Sequence, residues 1–146
     1  MANVISNVFK KELLKGNHDF DGGATYKIAL YTSSKTVSAS DPTAYNTTNQ
    51  VSASGTNYTT AGNTLANPSV TGGSSASTAF VDFDDTSWPD ATFTARYAQI
   101  YRSDGSAPTN NSVLVLDFGG DFTATSGTFT IQFPSAGTST AVLRLA

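Results

Sequence analysis

Residues 113–133 read VLVLDFGGDFTATSGTFTIQF and contain the clearest strand patterns of the chain. In the last six residues, TFTIQF, apolar and polar side chains alternate, which places Phe129, Ile131 and Phe133 on one face of a strand. In the first six, VLVLDF, both faces are apolar as far as Asp117, which predicts a central strand covered on both sides. The glycine-containing stretch FGGDFTATSGT between them predicts a hairpin turn. We therefore expect two packed layers rather than an open single sheet.

Similar patterns predict strands elsewhere in the chain. TYKIALY places Tyr26, Ile28 and Leu30 on one face. ATFTARYAQIYR changes phase after Tyr97, which predicts a bulge or a strand that crosses from one layer to the next. RSDGSAPTNN after it predicts a turn. TAFVDFDD and the terminal TAVLRLA predict two shorter strands, the second with Leu143 and Leu145 pointing inward. About eight strands predict a mainly β, antiparallel β-sandwich, jelly-roll-like in its leading version and immunoglobulin-like in the alternative.

One short amphipathic helix is predicted before the strands, over about residues 3–16. Asn3 is placed to cap its first turn, and Gly16 to end it in the left-handed conformation. Its apolar stripe consists of Val4, Ile5, Val8, Phe9 and Leu13. A helix this short is not stable alone in water, so the stripe either plugs the open end of its own sandwich or docks on a neighbouring subunit.

Residues 32–73 are rich in Ser, Thr, Asn and Gly and poor in apolar residues. This composition is typical of a flexible linker or of a long ordered excursion with many turns. We favour the ordered excursion, because a structureless loop of this length is uncommon in a compact domain. Its inward anchors would be Tyr45, Val51, Tyr58 and Leu65. The whole chain, residues 1–146, is expected to form a single domain.

Composition excludes several classes of function. Only 13% of the 146 residues are charged, against roughly 25% in ordinary soluble domains, and the formal net charge is −3. An acidic chain whose one basic cluster lies on a predicted helix face argues against nucleic-acid binding. No apolar stretch is long enough to cross a membrane, and no secretion signal is recognised, so we expect synthesis in a cytoplasm. The absence of cysteine excludes disulfides and thiolate metal sites.

Few residues suggest chemistry. His18 is the only histidine, and in GNHDFDGG it is more typical of a turn residue or a partner contact than of a general base. We therefore predict no catalytic residue, no cofactor and no metal site. The best calcium candidates are Asp82, Asp84, Asp85 and Asp90, whose spacing matches no EF-hand. Solvated strand-end carboxylates are the favoured interpretation, and weak calcium binding at a protomer junction stays open.

Aromatic residues suggest a binding surface. Five rings could stack on sugars or fill the core, namely Trp88, Tyr97, Tyr101, Tyr45 and Tyr58. Trp88 precedes a rigid proline and is typical of an interface anchor. The predicted partner interface therefore combines this ring with the helix stripe: Val4, Ile5, Val8, Phe9, Leu13 and Trp88.

Several segments together resemble a known class of protein. These are NVISNVFKKELLKGNHDF, YKIALYTSS, TARYAQIYRSD, VLVLDFGGDFTATSGTFTIQFP and the closing AVLRLA. In texture and order they resemble small virion structural proteins of tailed bacteriophages, of the type that decorate or cement the capsid. The resemblance is weak through residues 32–73.

The resemblance implies a jelly-roll-like protein, often a homotrimer, that binds the lattice of major capsid protein on the virion surface. It implies no enzymatic activity and no cofactor. The alternative is a tail, collar or fibre-base component that binds host glycans. A hydrolase would need activity that disappears when His18 or the carboxylates of Asp82–Asp90 are replaced.

Overall fold

The structure, a computed structural model, describes residues 3–72, 77–104 and 109–146. Along the chain its elements are β1 (Val4–Ile5), α1 (Asn7–Leu14), β2 (Tyr26–Tyr31), β3 (Asn63–Thr64), β4 (Ser69–Gly72), β5 (Ala79–Asp82), β6 (Thr86–Arg102), β7 (Ser112–Ile131) and β8 (Leu143–Leu145). One sheet has the order β1-β7-β6-β2-β3 and the other β4-β5-β8, and the pairings are antiparallel. The predicted fold class, a mainly β sandwich with one short N-terminal helix, is confirmed.

The longest elements, β6 and β7, pair with each other along most of their length. A shift of register between Ala95 and Tyr97 lies near the predicted change of phase in β6, with the extra residues in β7. The turn predicted over FGGDFTATSGT is wrong, because this stretch lies inside β7. Tyr97 of β6 pairs with Asp117 of β7, and Ala95 pairs with Phe122. The β7 residues between Asp117 and Phe122 therefore bulge out of the sheet without ending the strand. The turn predicted over RSDGSAPTNN includes residues 105–108, which lie outside the described residues.

The larger sheet is covered on both faces over its central strands. The main core cluster includes Ile28, Leu30 and Ile100, with Phe9 of the helix and Leu143 of the second sheet. A smaller cluster lies on the opposite face and consists of Ala29, Tyr31, Val37, Tyr97, Tyr101 and Val115. The first part of β7 therefore contributes to both clusters, as its doubly apolar sequence predicted.

The excursion over residues 32–73 is ordered where it is described, through residue 72. Val51, Tyr58 and Leu65 are buried, as predicted for inward anchors. Tyr45 is half-buried and stacks on the ring of Tyr101, with 4.5 Å between the ring centroids. The Tyr58 hydroxyl accepts a hydrogen bond from the backbone N–H of Leu30 at 2.9 Å, so the excursion is held directly to β2.

The helix is shorter than the sequence predicted. Val4 and Ile5 form a strand that pairs with Val115 and Leu114 of β7, and the helix begins only after Ser6. The predicted start is wrong because pairing with β7 satisfies the backbone groups of Val4 and Ile5. Asn3 does not cap the helix; its side-chain oxygen accepts a hydrogen bond from the backbone N–H of Asp117 at 2.9 Å. The predicted end is confirmed, since Gly16 follows the last turn with φ of 75°.

Candidate functional site

An open, mainly apolar groove of about 650 Å³ runs along the second part of β7. Its apolar lining includes Leu116, Phe118, Phe122, Ile131, Phe133 and Val142. Phe122 is 54% exposed although it is a large aromatic side chain. Ala141 and Val142, which precede β8, also line the groove, so it lies where the two sheets separate. An apolar groove with an exposed aromatic ring is typical of a protein–protein contact surface.

The groove depends on a second bulge in β7. Phe93 of β6 pairs with Ala124 of β7, and Ala91 pairs with Gly127, so β7 has one extra residue between these two pairs. The backbone accommodates the extra residue at Ser126, which has a φ of 46°. Because one extra residue inverts the alternation of faces, apolar side chains before and after the bulge lie on the same side of β7. That side carries Phe122 and Ala124 before the bulge, and Phe129 and Ile131 after it.

A half-buried ion pair lies at the wide bulge beside the groove. Arg96 Nε donates to Asp117 Oδ1 at 2.8 Å, and the backbone N–H of Gly119 donates to the same oxygen at 2.9 Å. Burial alone would raise the pKa of Asp117, but these hydrogen bonds and the guanidinium charge hold it at about 2. Asp117 is therefore ionised at neutral pH and keeps the bulge in one conformation.

The outer edge of β7 borders the groove. On its other side β7 pairs with β6, whereas at this edge β1 covers only Leu114 and Val115. In the described part of the chain, no strand pairs with residues 118–131 at this edge. Edge strands usually carry lysine, proline, several charges or a bulge that hinders pairing, and of these the edge of β7 has the bulge at Ser126. Residues 118–131 contain no proline and no lysine, and Asp121 is their only charged residue. We call residues 122–131 at this side the β7 edge.

A second apolar hollow of about 210 Å³ lies between the end of α1 and the smaller sheet. Leu13, Phe20, Val70, Phe80, Leu143 and Leu145 line it. Val70 is 47% and Leu145 54% exposed. The inward position predicted for Leu143 is confirmed, while that predicted for Leu145 is wrong, because Leu145 lies at the end of a three-residue edge strand. The second hollow shares no lining residue with the groove, but a third hollow of about 260 Å³ shares Val142 with the groove and Leu143 with the second hollow.

Two residues of the predicted partner interface lie inside the chain's own core. Phe9 is 1% and Trp88 2% exposed, so neither is available as a surface anchor. The Trp88 ring lies among aromatic neighbours, with centroids 6.1 Å from Tyr58 and 6.2 Å from Phe129. A tryptophan before a proline does not reveal from sequence whether the excursion folds over it. The remaining interface candidates, Val4, Ile5, Val8 and Leu13, are half-buried. Of these, Leu13 lines the second hollow.

His18 lies in the irregular segment after α1, as expected of a turn residue, and its side chain is buried. Its ring lies 4.7 Å from that of Phe9 in an edge-to-face arrangement. Nδ1 lies 3.3 Å from the Tyr26 hydroxyl, and Nε2 lies 3.3 Å from Oδ1 of Asn111. Because Oδ1 of Asn111 can only accept, Nε2 carries the proton, and Nδ1 then accepts from Tyr26. A neutral imidazole therefore links the segment after α1 to the start of β7.

We expect folding stability to depend on His18 near neutral pH. Desolvation lowers the pKa of His18 in the folded chain below its unfolded value of about 6.5. As the pH falls, the unfolded state then binds more protons than the folded state. The free energy of unfolding is therefore unaffected by His18 above this pH and decreases as the pH falls through it. Urea denaturation between about pH 7.5 and 5.5, above the range of ordinary carboxylates, should show this decrease. His18→Gln should flatten it, and an equal slope in the variant would contradict the assignment.

The acidic residues considered for calcium are dispersed. Asp84 accepts from Asn67 Nδ2, and Asp85 Oδ1 accepts from the backbone N–H of Phe133 at 2.8 Å. Within residues 3–72, 77–104 and 109–146, no group of three or more His, Asp or Glu side chains is arranged to hold a metal ion. The same residues include no helix with the length and apolar character required to span a membrane.

The five rings considered for sugar binding do not form an exposed platform. Four of them are buried, namely Trp88, Tyr97, Tyr101 and Tyr58. The fifth, Tyr45, is stacked on Tyr101 and hydrogen-bonded through its hydroxyl to Gln50 at 3.0 Å. Their stacking faces are used within the fold, so the exposed aromatic surface is Phe122 in the groove.

Comparison of the chain with protein-family models, with curated proteins and with solved structures gives no match in any of the three. The function proposed below therefore depends on the chain's own surfaces and on the resemblance in its sequence.

Proposed function

We propose that this chain is a non-enzymatic structural protein of a tailed-bacteriophage virion. It acts as a capsid decoration or cement protein that binds the major capsid protein lattice and copies of itself, as a homotrimer, and stabilises the shell. It is made in the host cytoplasm and resides on the capsid surface. The observation that carries the proposal is the pair of separate apolar surfaces, the groove and the second hollow. A protein that contacts both its own copies and a lattice needs two such surfaces.

The character of the surface supports this proposal. With 13% charged residues, the chain has few groups for electrostatic recognition of a partner. Apolar side chains are nevertheless exposed at separate places, including Val70, Phe122 and Leu145. Contact through apolar area and shape is typical of permanent assemblies, whose interfaces resemble a domain core.

We assign the second hollow to the shell contact. The groove lies beside an unpaired strand edge, which suits pairing with another strand, whereas the second hollow is lined by side chains from α1 and the smaller sheet. Such a hollow accepts a protruding apolar side chain or loop from a partner. Leu145 and Val70 lie on its rim and would be covered on binding.

Replacing Leu145 by Ser should weaken shell binding. Covering the exposed half of this leucine side chain contributes about 0.8–1.6 kcal/mol, so we expect a loss of affinity on the order of tenfold or somewhat less. Co-sedimentation with shells of the major capsid protein encoded with this chain, assembled without the chain, measures the binding.

Leu14→Ser is the matched control, because Leu14 is 90% exposed on α1 and does not line the second hollow. It should bind shells like the unmodified chain. Failure of the unmodified chain to bind shells would contradict the proposed function, and equal losses in both variants would contradict the assignment of the second hollow.

A further inference from the structure

We infer that the β7 edge pairs with the β7 edge of a second copy of this chain, in antiparallel orientation about a two-fold axis. This contact goes beyond the proposed function, because it depends only on the edge and the groove of the isolated protein. Three observations carry it, which are the unpaired edge, its symmetric sequence and its lack of charge.

The β7 edge has a sequence that is nearly symmetric about its centre. Residues 122–131 read FTATSGTFTI, with the centre between Ser126 and Gly127. Residues at equal distances on either side of that point are of the same kind, threonine with threonine and apolar with apolar, apart from the central Ser126 and Gly127. The matching pairs are Thr125 with Thr128, Ala124 with Phe129, Thr123 with Thr130, and Phe122 with Ile131. Two copies in antiparallel orientation would place these residues opposite each other.

Because of the bulge at Ser126, residues that match in the sequence also lie on the same face of β7. In a regular strand, Phe122 and Ile131 would point to opposite faces, because nine positions separate them. The extra residue between Ala124 and Gly127 inverts the alternation, so that both face the groove. A two-fold axis perpendicular to the sheet keeps each side chain on its own face. In the paired edges, apolar residues would therefore meet on the groove side, where Thr123, Thr128 and Thr130 also border the groove.

Charge favours a second copy over a chain with an acidic or basic segment. The whole chain has a net charge of −3, but residues 122–131 include no charged side chain. Two acidic copies can approach through this neutral strip, whereas like charges directly opposite each other would destabilise the pair. Cross-strand Thr–Thr pairs and pairs of an aromatic with a β-branched residue are favourable.

Pairing would also explain the exposed ring in the groove. Phe122 is 54% exposed at one end of the β7 edge, and Ile131, which is 7% exposed and belongs to the main core cluster, lies at the other. In the paired register, Ile131 of one copy lies beside Phe122 of its partner, and the two grooves become one shared cavity across the axis. Such a contact is isologous, since each copy contributes the same surface. It joins subunits in pairs through the groove, so the three-fold contact of the proposed homotrimer would need a surface other than the groove and the second hollow.

Disulfide trapping tests the register, because the chain has no cysteine of its own. Opposite residues in a paired sheet have Cβ atoms about 4.5–5.5 Å apart, close enough for a disulfide with slight adjustment. Protein carrying Thr125→Cys, mixed with protein carrying Thr128→Cys and oxidised, should give a linked dimer in high yield. A mixture of Thr123→Cys and Thr125→Cys proteins is the matched control, since these positions lie several residues out of register. No linked dimer, or equal yields from both mixtures, would overturn the inference.

Light scattering tests the contact without a cross-link. The unmodified chain should show twice the mass of Thr128→Lys, in which each copy places a charge on the paired edge. Thr36→Lys makes the same change of charge at an exposed position outside β7 and should keep the mass of the unmodified chain. Far-UV circular dichroism establishes that the variants are folded. An unmodified chain that is monomeric at all concentrations, or a Thr128→Lys variant of unchanged mass, would overturn the inference.

Discussion

Phe9→Ala is expected to lower the free energy of unfolding by about 3–5 kcal/mol. Phe9 is 1% exposed, and its ring packs edge-on against His18 and Phe20, with centroids 4.7 Å and 6.0 Å away. Removing the ring leaves a cavity between α1 and the strands, which the surrounding aromatic residues fill only in part. Urea denaturation of the purified variant measures the loss.

Leu14→Ala is the control on the same helix. Leu14 is 90% exposed, so its replacement should change the free energy of unfolding by no more than about 0.5 kcal/mol. A Phe9→Ala variant as stable as the unmodified chain but unable to assemble would contradict the packing described here. It would show that the helix stabilises a neighbour rather than its own domain.

Gly62→Ala is expected to cost about 2–5 kcal/mol, the second large effect. Gly62 has φ of 74°, which a side chain disfavours by roughly 1–2 kcal/mol. An added Cβ would also collide with the carbonyl oxygen of Ile28 and lie 2.8 Å from Cα of Ala29. Because both neighbours are backbone atoms of the central β2, the excursion would have to move away, and overpacking of this kind costs a further 1–3 kcal/mol or so.

Gly55→Ala separates the two contributions. Gly55 has a similar φ of 71°, but an added Cβ there meets no atom within 4 Å. Its replacement should therefore cost only the conformational part, roughly 1–2 kcal/mol. Equal losses at the two glycines, measured by thermal or urea denaturation, would contradict the close approach of the excursion to β2.

The regular strands and the buried anchors were predictable from sequence. Alternation identified the strand at Tyr26–Tyr31, and the doubly apolar run before Asp117 identified a strand covered on both faces. These patterns are predictable because the face on which each side chain lies depends only on its position in its own strand. The helix was overextended at its start, because Val4 and Ile5 match a helical stripe equally well and only pairing with distant Leu114 and Val115 makes them a strand.

The groove was not predictable in the same way. Its residues lie in FGGDFTATSGT, which has the glycines and small polar residues of a turn. Two bulges keep this stretch in the strand, and the opposite strand β6 fixes their positions. Alternation of apolar and polar residues correctly predicted the strand from Thr128 onward. It could not predict that Phe122 and Ile131 face the same side, because that depends on the extra residue between them. The near-symmetric order of residues 122–131 is the sequence signal on which the proposed self-pairing of this edge depends.

Trp88 and His18 illustrate a second limit. Both are residue types common at functional sites, and both lie in segments rich in turn residues. Whether such a residue is exposed depends on what packs over it, here the Tyr58 ring over Trp88 and the Phe9 ring over His18. Those contacts join parts of the chain far apart in sequence or separated by a helix end, which local patterns do not describe.

Electron cryomicroscopy of virions from the host cells that produce this chain would test the proposed function most directly. We expect regular copies on the capsid surface, with the second hollow against the major capsid protein and the β7 edges in contact with each other. Absence of the chain from the capsid, or its presence at the tail tip alone, would contradict the account.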